Sequence, residues 1–214
     1  MKPSRYLLLS VLVTLPLLAA CSATTIEDQP ASEFSTAGLH AASGTGFDSA
    51  YVLPGANLPG YGQIRFEPFD VSGVDVSTTT MTGTTRRDWE MTAEKEKKLI
   101  AAWAGATAHA FPDYPREEGA GKSLRVEASL TRLSPGRAVN TAAGTLGSAS
   151  TANRDVVNVS IEIRLFDADS GQLLALVRDR QAVGALQWTR AAGTDMTNLF
   201  NAWAALLHTR VSGR

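Results

Sequence analysis

Val156-Val157-Asn158-Val159-Ser160-Ile161-Glu162-Ile163-Arg164-Leu165-Phe166 alternates apolar and polar residues along almost its whole length. Val157, Val159, Ile161, Ile163 and Leu165 fall on one face, and Asn158, Ser160, Glu162 and Arg164 on the other. That period of two is the signature of a half-buried strand. Asp167-Ala168-Asp169-Ser170-Gly171 follows, a run of residues that tolerate tight-turn geometry. Leu173 to Gln181 then returns, so the segment predicts a β-hairpin. Leu173 to Val177 is apolar on both faces, which places the returning strand inside a sheet.

Reading outward, Ser123 to Arg132 alternates in the same way, with Leu124, Val126, Ala128 and Leu130 on one face. Before it, Thr92 to Phe111 has helical spacing. Leu99, Trp103, Ala106 and Ala110 form a stripe, with Ile100, Thr107 and Phe111 beside it. Thr92 can cap this helix, Glu94 suits its first turn, and Pro112 and Pro115 end it. A second helix is predicted over Thr194 to Val211. Its buried stripe is Met196, Leu199, Phe200, Trp203, Leu206 and Leu207. Tyr61 to Phe69 reads as a strand with Ile64 and Phe66 on one face, and Pro68 marks an edge or an end. Val71 to Met81, rich in Val and Thr, extends it as a β-arm. The expected fold is α+β: a mixed, mostly antiparallel sheet of about four strands with two helices packed on one face, in the order β-α-β-β-β-α. The helical crossover makes the first two of these strands parallel, and hairpin-linked strands run antiparallel.

Two stretches lack this patterning. Ser22 to Gly46 is rich in Ser, Thr, Ala and Gly. It reads as a flexible tether with a reach on the order of 25–30 Å. Order is expected to begin at Phe47, with turns at Pro54-Gly55 and Pro59-Gly60. Ser134 to Arg154 reads as a long small-residue loop, of a length usually reserved for function or disorder. The expected organisation is a signal peptide over 1–20, a lipidated tether over 21–46 and a single domain over 47–214.

The amino terminus reads as an address. Lys2 and Arg5 precede an almost wholly apolar run from Tyr6 to Ala20. It is short for a bilayer span and is interrupted by Pro16, so a secretory signal is favoured over a membrane-spanning anchor. Leu18-Ala19-Ala20-Cys21 resembles the lipobox of bacterial lipoproteins, with Leu18, Ala19 and Ala20 as the signal-peptidase recognition residues. The resemblance implies a diacylglyceryl thioether on Cys21, cleavage just before it, and a further acyl chain such as palmitate on the new amine. A plain signal with an incidental Cys is the competing reading. Cys21 is the only cysteine, so no disulfide within the chain competes for it. Ser22 in place of an acidic residue implies sorting to the outer membrane, facing the periplasm.

The charge balance is even, with 20 basic and 21 acidic side chains among 214 residues. It gives no basic footprint for nucleic acid. With 44% hydrophobic residues, a disordered chain is excluded as well. Removing residues 1–20 takes Lys2 and Arg5 and no acid, leaving 18 basic against 21 acidic groups. Such a body is not drawn to anionic lipid, so acyl chains must supply the expected membrane attachment.

The chemical motifs are weak. Gly119-Ala120-Gly121-Lys122-Ser123 ends like a phosphate-binding loop, but Arg116 stands where its first glycine belongs. The flanking order, helix then strand, is also reversed. No nucleotide is expected. Asp167, Asp169 and Gly171 resemble part of a calcium loop, but Arg178 replaces the twelfth-position Glu. A hairpin turn explains the same residues. His40 lies in the expected tether and His109 and His208 on separate helices, without zinc-ligand spacing or an acyl-transfer serine elbow. No catalytic residue, metal or cofactor is expected. Arg178-Asp179-Arg180 reads as a solvated, salt-bridged strand end, with a partner-binding patch as the alternative.

Several segments together resemble an uncharacterised family of bacterial lipoproteins, domain of unknown function 3313. They are Gly46-Phe47 with Tyr51, Leu53 and Pro54; Tyr61 leading into Ile64, Phe66, Glu67 and Pro68; and the hairpin from Ile161 through Asp167 and Asp169-Ser170-Gly171-Gln172-Leu173-Leu174-Ala175 to Val177-Arg178-Asp179-Arg180. Gln172 stands where the family usually has Glu. The resemblance spans about Gly46 to Val211 and implies a membrane-anchored cell-envelope protein. The expected function is a non-catalytic accessory or interaction module with an envelope protein partner. The alternatives are an envelope hydrolase acting on cell-wall or lipid material, and a carrier of a small apolar ligand with Trp103 and Trp203 lining its site.

Overall fold

The computed structural model describes residues 24–77, 91–117, 119–137, 155–184, 188 and 194–214. The strands are β1 (Thr25–Pro30), β2 (His40–Ser43), β3 (Ser49–Val52), β4 (Gln63–Phe66), β5 (Asp75–Val76), β6 (Ser123–Arg137), β7 (Asp155–Asp167) and β8 (Leu173–Gly184). The long helices are α1 (Ala93–Ala110) and α2 (Thr194–Ser212). Among the described residues the strands form one eight-stranded sheet in the order β1-β2-β3-β8-β7-β6-β4, with β5 also paired to β6. All pairings are antiparallel except β4–β6 and β5–β6. The fold is therefore α+β with a mostly antiparallel mixed sheet, and the parallel β4–β6 pair is the one a helical crossover demands.

The expected four strands are too few. β4, β6, β7 and β8 correspond to them, but β1, β2, β3 and β5 are added, so the element order is longer at its start. β1 to β3 are short and made of small or polar residues; in β2 only Ala42 is buried. Their strand character comes from pairing with one another and, through β3, with β8, not from an alternation legible in the chain.

The expected tether is corrected for the same reason: β1, β2 and the segment between them lie before Phe47, with β1 starting at Thr25. The segment that follows β1 forms a 3-10 helix over Ser32–Ala37. His40 accordingly lies in β2, its Nδ1 2.7 Å from the Glu27 carbonyl of β1. The expected loop from Ser134 is corrected at its start, because β6 runs on to Arg137. A bulge between Leu130 and Arg132 shifts the register, so Leu133 takes the buried position that strict alternation assigns to Arg132. Residues 138–154 lie outside the described residues, as do residues 78–81 of the expected β-arm, of which Asp75–Val76 forms β5.

The register of β6, β7 and β8 sorts their side chains onto two faces. Leu130, Ile161 and Asp179 lie side by side, as do Ala128, Ile163 and Val177. The apolar ones among them join α1 and α2 in one buried cluster. Thr92 caps α1 as expected, its Oγ1 accepting from the Lys95 N–H at 3.2 Å. Leu99, Trp103 and Ala106 are buried on that helix, and Phe200, Trp203 and Leu207 on α2.

Two of the sequence motifs resolve as structural devices. Gly119 adopts a positive φ of 74°, and a Cβ there would sit 2.3 Å from the Gly60 carbonyl oxygen. This glycine lets the start of β6 approach the entry to β4, with Gly62 N–H donating to its carbonyl at 3.1 Å. In the hairpin turn, Asp167 Oδ1 accepts from Ser170 N–H at 2.8 Å and from Ser170 Oγ at 2.7 Å, while Oδ2 accepts from the Tyr61 hydroxyl at 2.7 Å. Both carboxylate oxygens are thus committed to the turn and to Tyr61.

These bonds, led by the one from the Ser170 backbone, hold Asp167 down to about pH 2. Partial burial and the Asp167 bond push the Tyr61 phenol up to about 12. The depressed carboxyl contributes stability that is present above its unfolded value near 4 and is lost as pH falls towards 2. The raised phenol contributes stability that is present below 10 and is lost as pH rises towards 12. Urea midpoints measured across pH should therefore decline at both ends, and Tyr61→Phe should remove the alkaline decline and shrink the acid one. An unchanged alkaline profile in that variant would contradict the assignment.

Candidate functional site

β4 lies at the edge of the sheet, and the chain beyond it carries Glu67, Pro68 and Phe69 between two concave surfaces. On the helix side a groove of about 770 Å³ runs between β4 and α1. Its walls are Ile64, Phe66 and Phe69 from the strand side, Ile100, Trp103 and Thr107 from the helix, and Phe111, Tyr114 and Pro115 from the turn after it. The rings support one another. Phe66 meets Phe111 edge-on at 5.0 Å between centroids, and Phe69 contacts Trp103 at 5.6 Å and Phe200 at 5.4 Å. Thr107 is not free to donate into the groove, because its hydroxyl lies 3.1 Å from the Trp103 and Ala104 carbonyls. Trp103 is 2% exposed and its Nε1 has no hydrogen-bond partner among the described residues. A buried indole N–H normally finds an acceptor.

On the opposite side of the same edge, a polar hollow of about 700 Å³ is lined by Arg65, Glu67, Asp70, Arg125, Glu127 and Arg164 among others. Arg65 pairs with Glu67 at 2.9 Å and Arg125 with Glu127, while Asp70 Oδ1 accepts from the Ser72 N–H at 2.8 Å and the Ser72 hydroxyl at 2.7 Å. Arg125 also lies over the Phe166 ring, 4.3 Å from its centroid. Further across this face, Glu162 is 6% exposed and bound on both oxygens. Arg164 Nε donates to Oε1 and Arg178 Nε to Oε2, each at 2.7 Å. Arg178 reaches on to Glu33 with both terminal nitrogens, at 3.1 and 2.7 Å. The Arg178 hydrogen bond holds the Glu33 carboxyl below the usual range.

The Arg178-Asp179-Arg180 triplet is therefore not one solvated edge. Alternation sends Arg178 and Arg180 to the ionic face and Asp179 to the core. Asp179 is 5% exposed and accepts from Trp203 Nε1 at 2.6 Å, Gln181 Nε2 at 3.0 Å and the Asp48 N–H at 3.1 Å. This corrects the pairing of Trp103 and Trp203 as walls of one ligand site. Trp103 lines the groove, whereas Trp203 is a core residue tied to Asp179.

His208, on α2, approaches the Asp113 carboxylate at 2.8 Å and packs edge-on against Phe111. No hydroxyl side chain bonds to His208 among the described residues. No group of three or more His, Cys, Asp or Glu side chains is placed to hold a metal ion among them. Cys21 and its recognition residues Leu18, Ala19 and Ala20 lie outside the described residues.

The two tryptophans should respond differently to loss of the indole N–H. Trp203→Phe leaves Asp179 short of a donor and removes ring volume, costing about 3 kcal/mol. Trp103→Phe removes an N–H that has no partner, which offsets the lost volume and leaves a cost of about 1 kcal/mol. Urea unfolding of the two variants checks this, and the reverse order would show that Trp103 Nε1 is satisfied.

The comparison with curated proteins returns no match. The family described as a protein of unknown function (DUF3313) matches residues 31–207. That span begins just before the 3-10 segment that Glu33 pins to Arg178, and it takes in β4, the Tyr61–Asp167 bond, the hairpin, all of α1 and α2 as far as Leu207. The chain belongs to this family of proteins of unknown function, DUF3313.

Proposed function

We propose that the protein is a lipid-anchored module of the bacterial cell envelope. It is held through Cys21 on the periplasm-facing side of the outer membrane and acts by binding, not by catalysis. The anchor rests on the sequence Leu18-Ala19-Ala20-Cys21 and on the lone cysteine. The observation that carries the binding role is the groove between β4 and α1. It is apolar and aromatic-lined, and it lies at a sheet edge that no other described strand covers. Its size lies within the range of about 300–1,000 Å³ usual for binding cavities. The partner that suits it is an apolar segment of another envelope protein.

A second reading is favoured by the aromatic and aliphatic lining of the same groove: a small apolar ligand fills it in place of a protein segment. Lipid attachment is tested by growth with labelled palmitate and mass mapping of the mature terminus. A bare Cys21, or retention of residues 1–20, would end the anchor reading.

Ala104 and Ala108 are exposed and line the groove. Ala104→Glu and Ala108→Glu should keep the fold, because each adds a helix-compatible side chain outside the core, with stability within about 0.5 kcal/mol of the parent. They should reduce recovery of the partner protein from detergent-solubilised membranes by about tenfold or more, since a carboxylate is placed against an apolar contact. Undiminished recovery from both variants would move the binding site elsewhere. Displacement of an apolar fluorescent probe by a fatty acid, blocked by the same variants, would select the small-ligand reading.

A further inference from the structure

We propose that the folded domain does not hang free of the membrane but rests on the lipid bilayer through the apolar pocket between β1 and the end of α2. The inference depends on the anchor reading for Cys21 and extends it from attachment to orientation.

The first argument is reach. Among the described residues the first strand, β1, starts at Thr25, four residues after Cys21. Four residue steps span at most roughly 14 Å, about half of what a coil over 22–46 would provide. A lipid on Cys21 therefore holds the β1 edge of the sheet against the surface it enters.

The second argument is what lies at that edge. A pocket of about 200 Å³ opens there, with Thr24 and Ile26 at its β1 side, Val52 and Ala56 beyond them, and Leu207 and Val211 from α2. Ile26 is 42% exposed, and it is the only exposed large hydrophobic side chain among the described residues. The apolar surface thus lies where the attachment point must be. Arg210 also lines the pocket, with Nε donating to the Thr45 carbonyl at 2.7 Å and Nη2 to the Gly44 carbonyl at 3.0 Å.

The third argument is charge. β1 carries Glu27 and Asp28, so contact with the bilayer is apolar, not an attraction to anionic headgroups. It should hold on zwitterionic lipid and at high salt. The depth expected is that of a surface-lying element, with Ile26 at the headgroup–acyl boundary.

The test uses the full lipidated protein in bilayer discs of phosphatidylethanolamine and phosphatidylcholine. Lipidation turns Cys21 into a thioether, so an introduced cysteine is the single free thiol. Ile26→Cys places a nitroxide label in the proposed contact. Lys97→Cys places one on an exposed residue of α1, an element that packs beside the opposite edge of the sheet. The label at 26 should be at least about fivefold less accessible to a water-soluble nickel relaxant than the label at 97, and more accessible to oxygen. Equal nickel accessibility, with one label per chain, overturns the resting orientation and leaves the anchor standing. Two labels per chain show a free thiol at Cys21 and overturn both.

Discussion

A one-residue slip of β7 against its neighbours would exchange Ile161, Ile163 and Leu165 for Glu162, Arg164 and Phe166 on the helix side of the sheet. That exchange would bury a carboxylate and a guanidinium under two helices and expose three aliphatic side chains. The register of this strand is the constraint on which the molecule depends. The same register sets Leu130 beside Ile161 and Ile161 beside Asp179, and it leaves Glu162 between Arg164 and Arg178 on the far face. Each face reinforces the other. The apolar side is specified by burial, and the ionic side by pairs that form only in this alignment.

Asp179 shows how narrow the margin is. It is a carboxylate on the buried side, tolerable only because three donors converge on it from α2, from its own strand and from the chain entering β3. It joins the last helix to the first part of the domain, so the aliphatic layers beneath need not supply all the specificity of that contact. Arg178, one residue earlier, does the equivalent on the other face by tying the 3-10 segment through Glu33 to the sheet. Phe34 reinforces this attachment, its ring tilted against Tyr51 at 4.6 Å between centroids and lying under Arg178. Two adjacent residues thus fasten opposite ends of the chain to opposite faces of β8.

The strands that could be read in the sequence are those whose alternation is long and apolar, and the helices are those with an apolar stripe at helical spacing. β4, β6, β7, β8, α1 and α2 meet that test. β1 to β3 do not, because His40-Ala41-Ala42-Ser43 and Ser49-Ala50-Tyr51-Val52 are too short and too small-sided for a period to show. They join the rest of the sheet only through β3, whose partner β8 lies far along the chain, with Ala50 opposite Val177, and no local pattern carries such a pairing. The extension of β6 was hidden by its bulge. The groove was half legible: Trp103 belongs to a helical stripe, but nothing in that stripe tells whether the ring faces a core or a cavity. Trp188, 1% exposed and part of the main cluster, carries no periodic signal at all.

The groove and the polar hollow both follow from where the sheet ends. β4 is only four residues long, and the chain beyond it keeps to the β6 edge through single contacts, such as Asp70 with Ser129, and the two-residue β5. A full-length edge strand would be a template for uncontrolled pairing. A broken one, with Pro68 removing a donor, blunts that hazard. It also leaves room on each side: an apolar channel where α1 would otherwise meet a strand, and a hollow where charged side chains pair among themselves. A partner entering the channel meets hydrophobic rings, and one approaching from the other side meets salt bridges that must be broken first. That asymmetry makes the helix side of the β4 edge the face at which binding costs least.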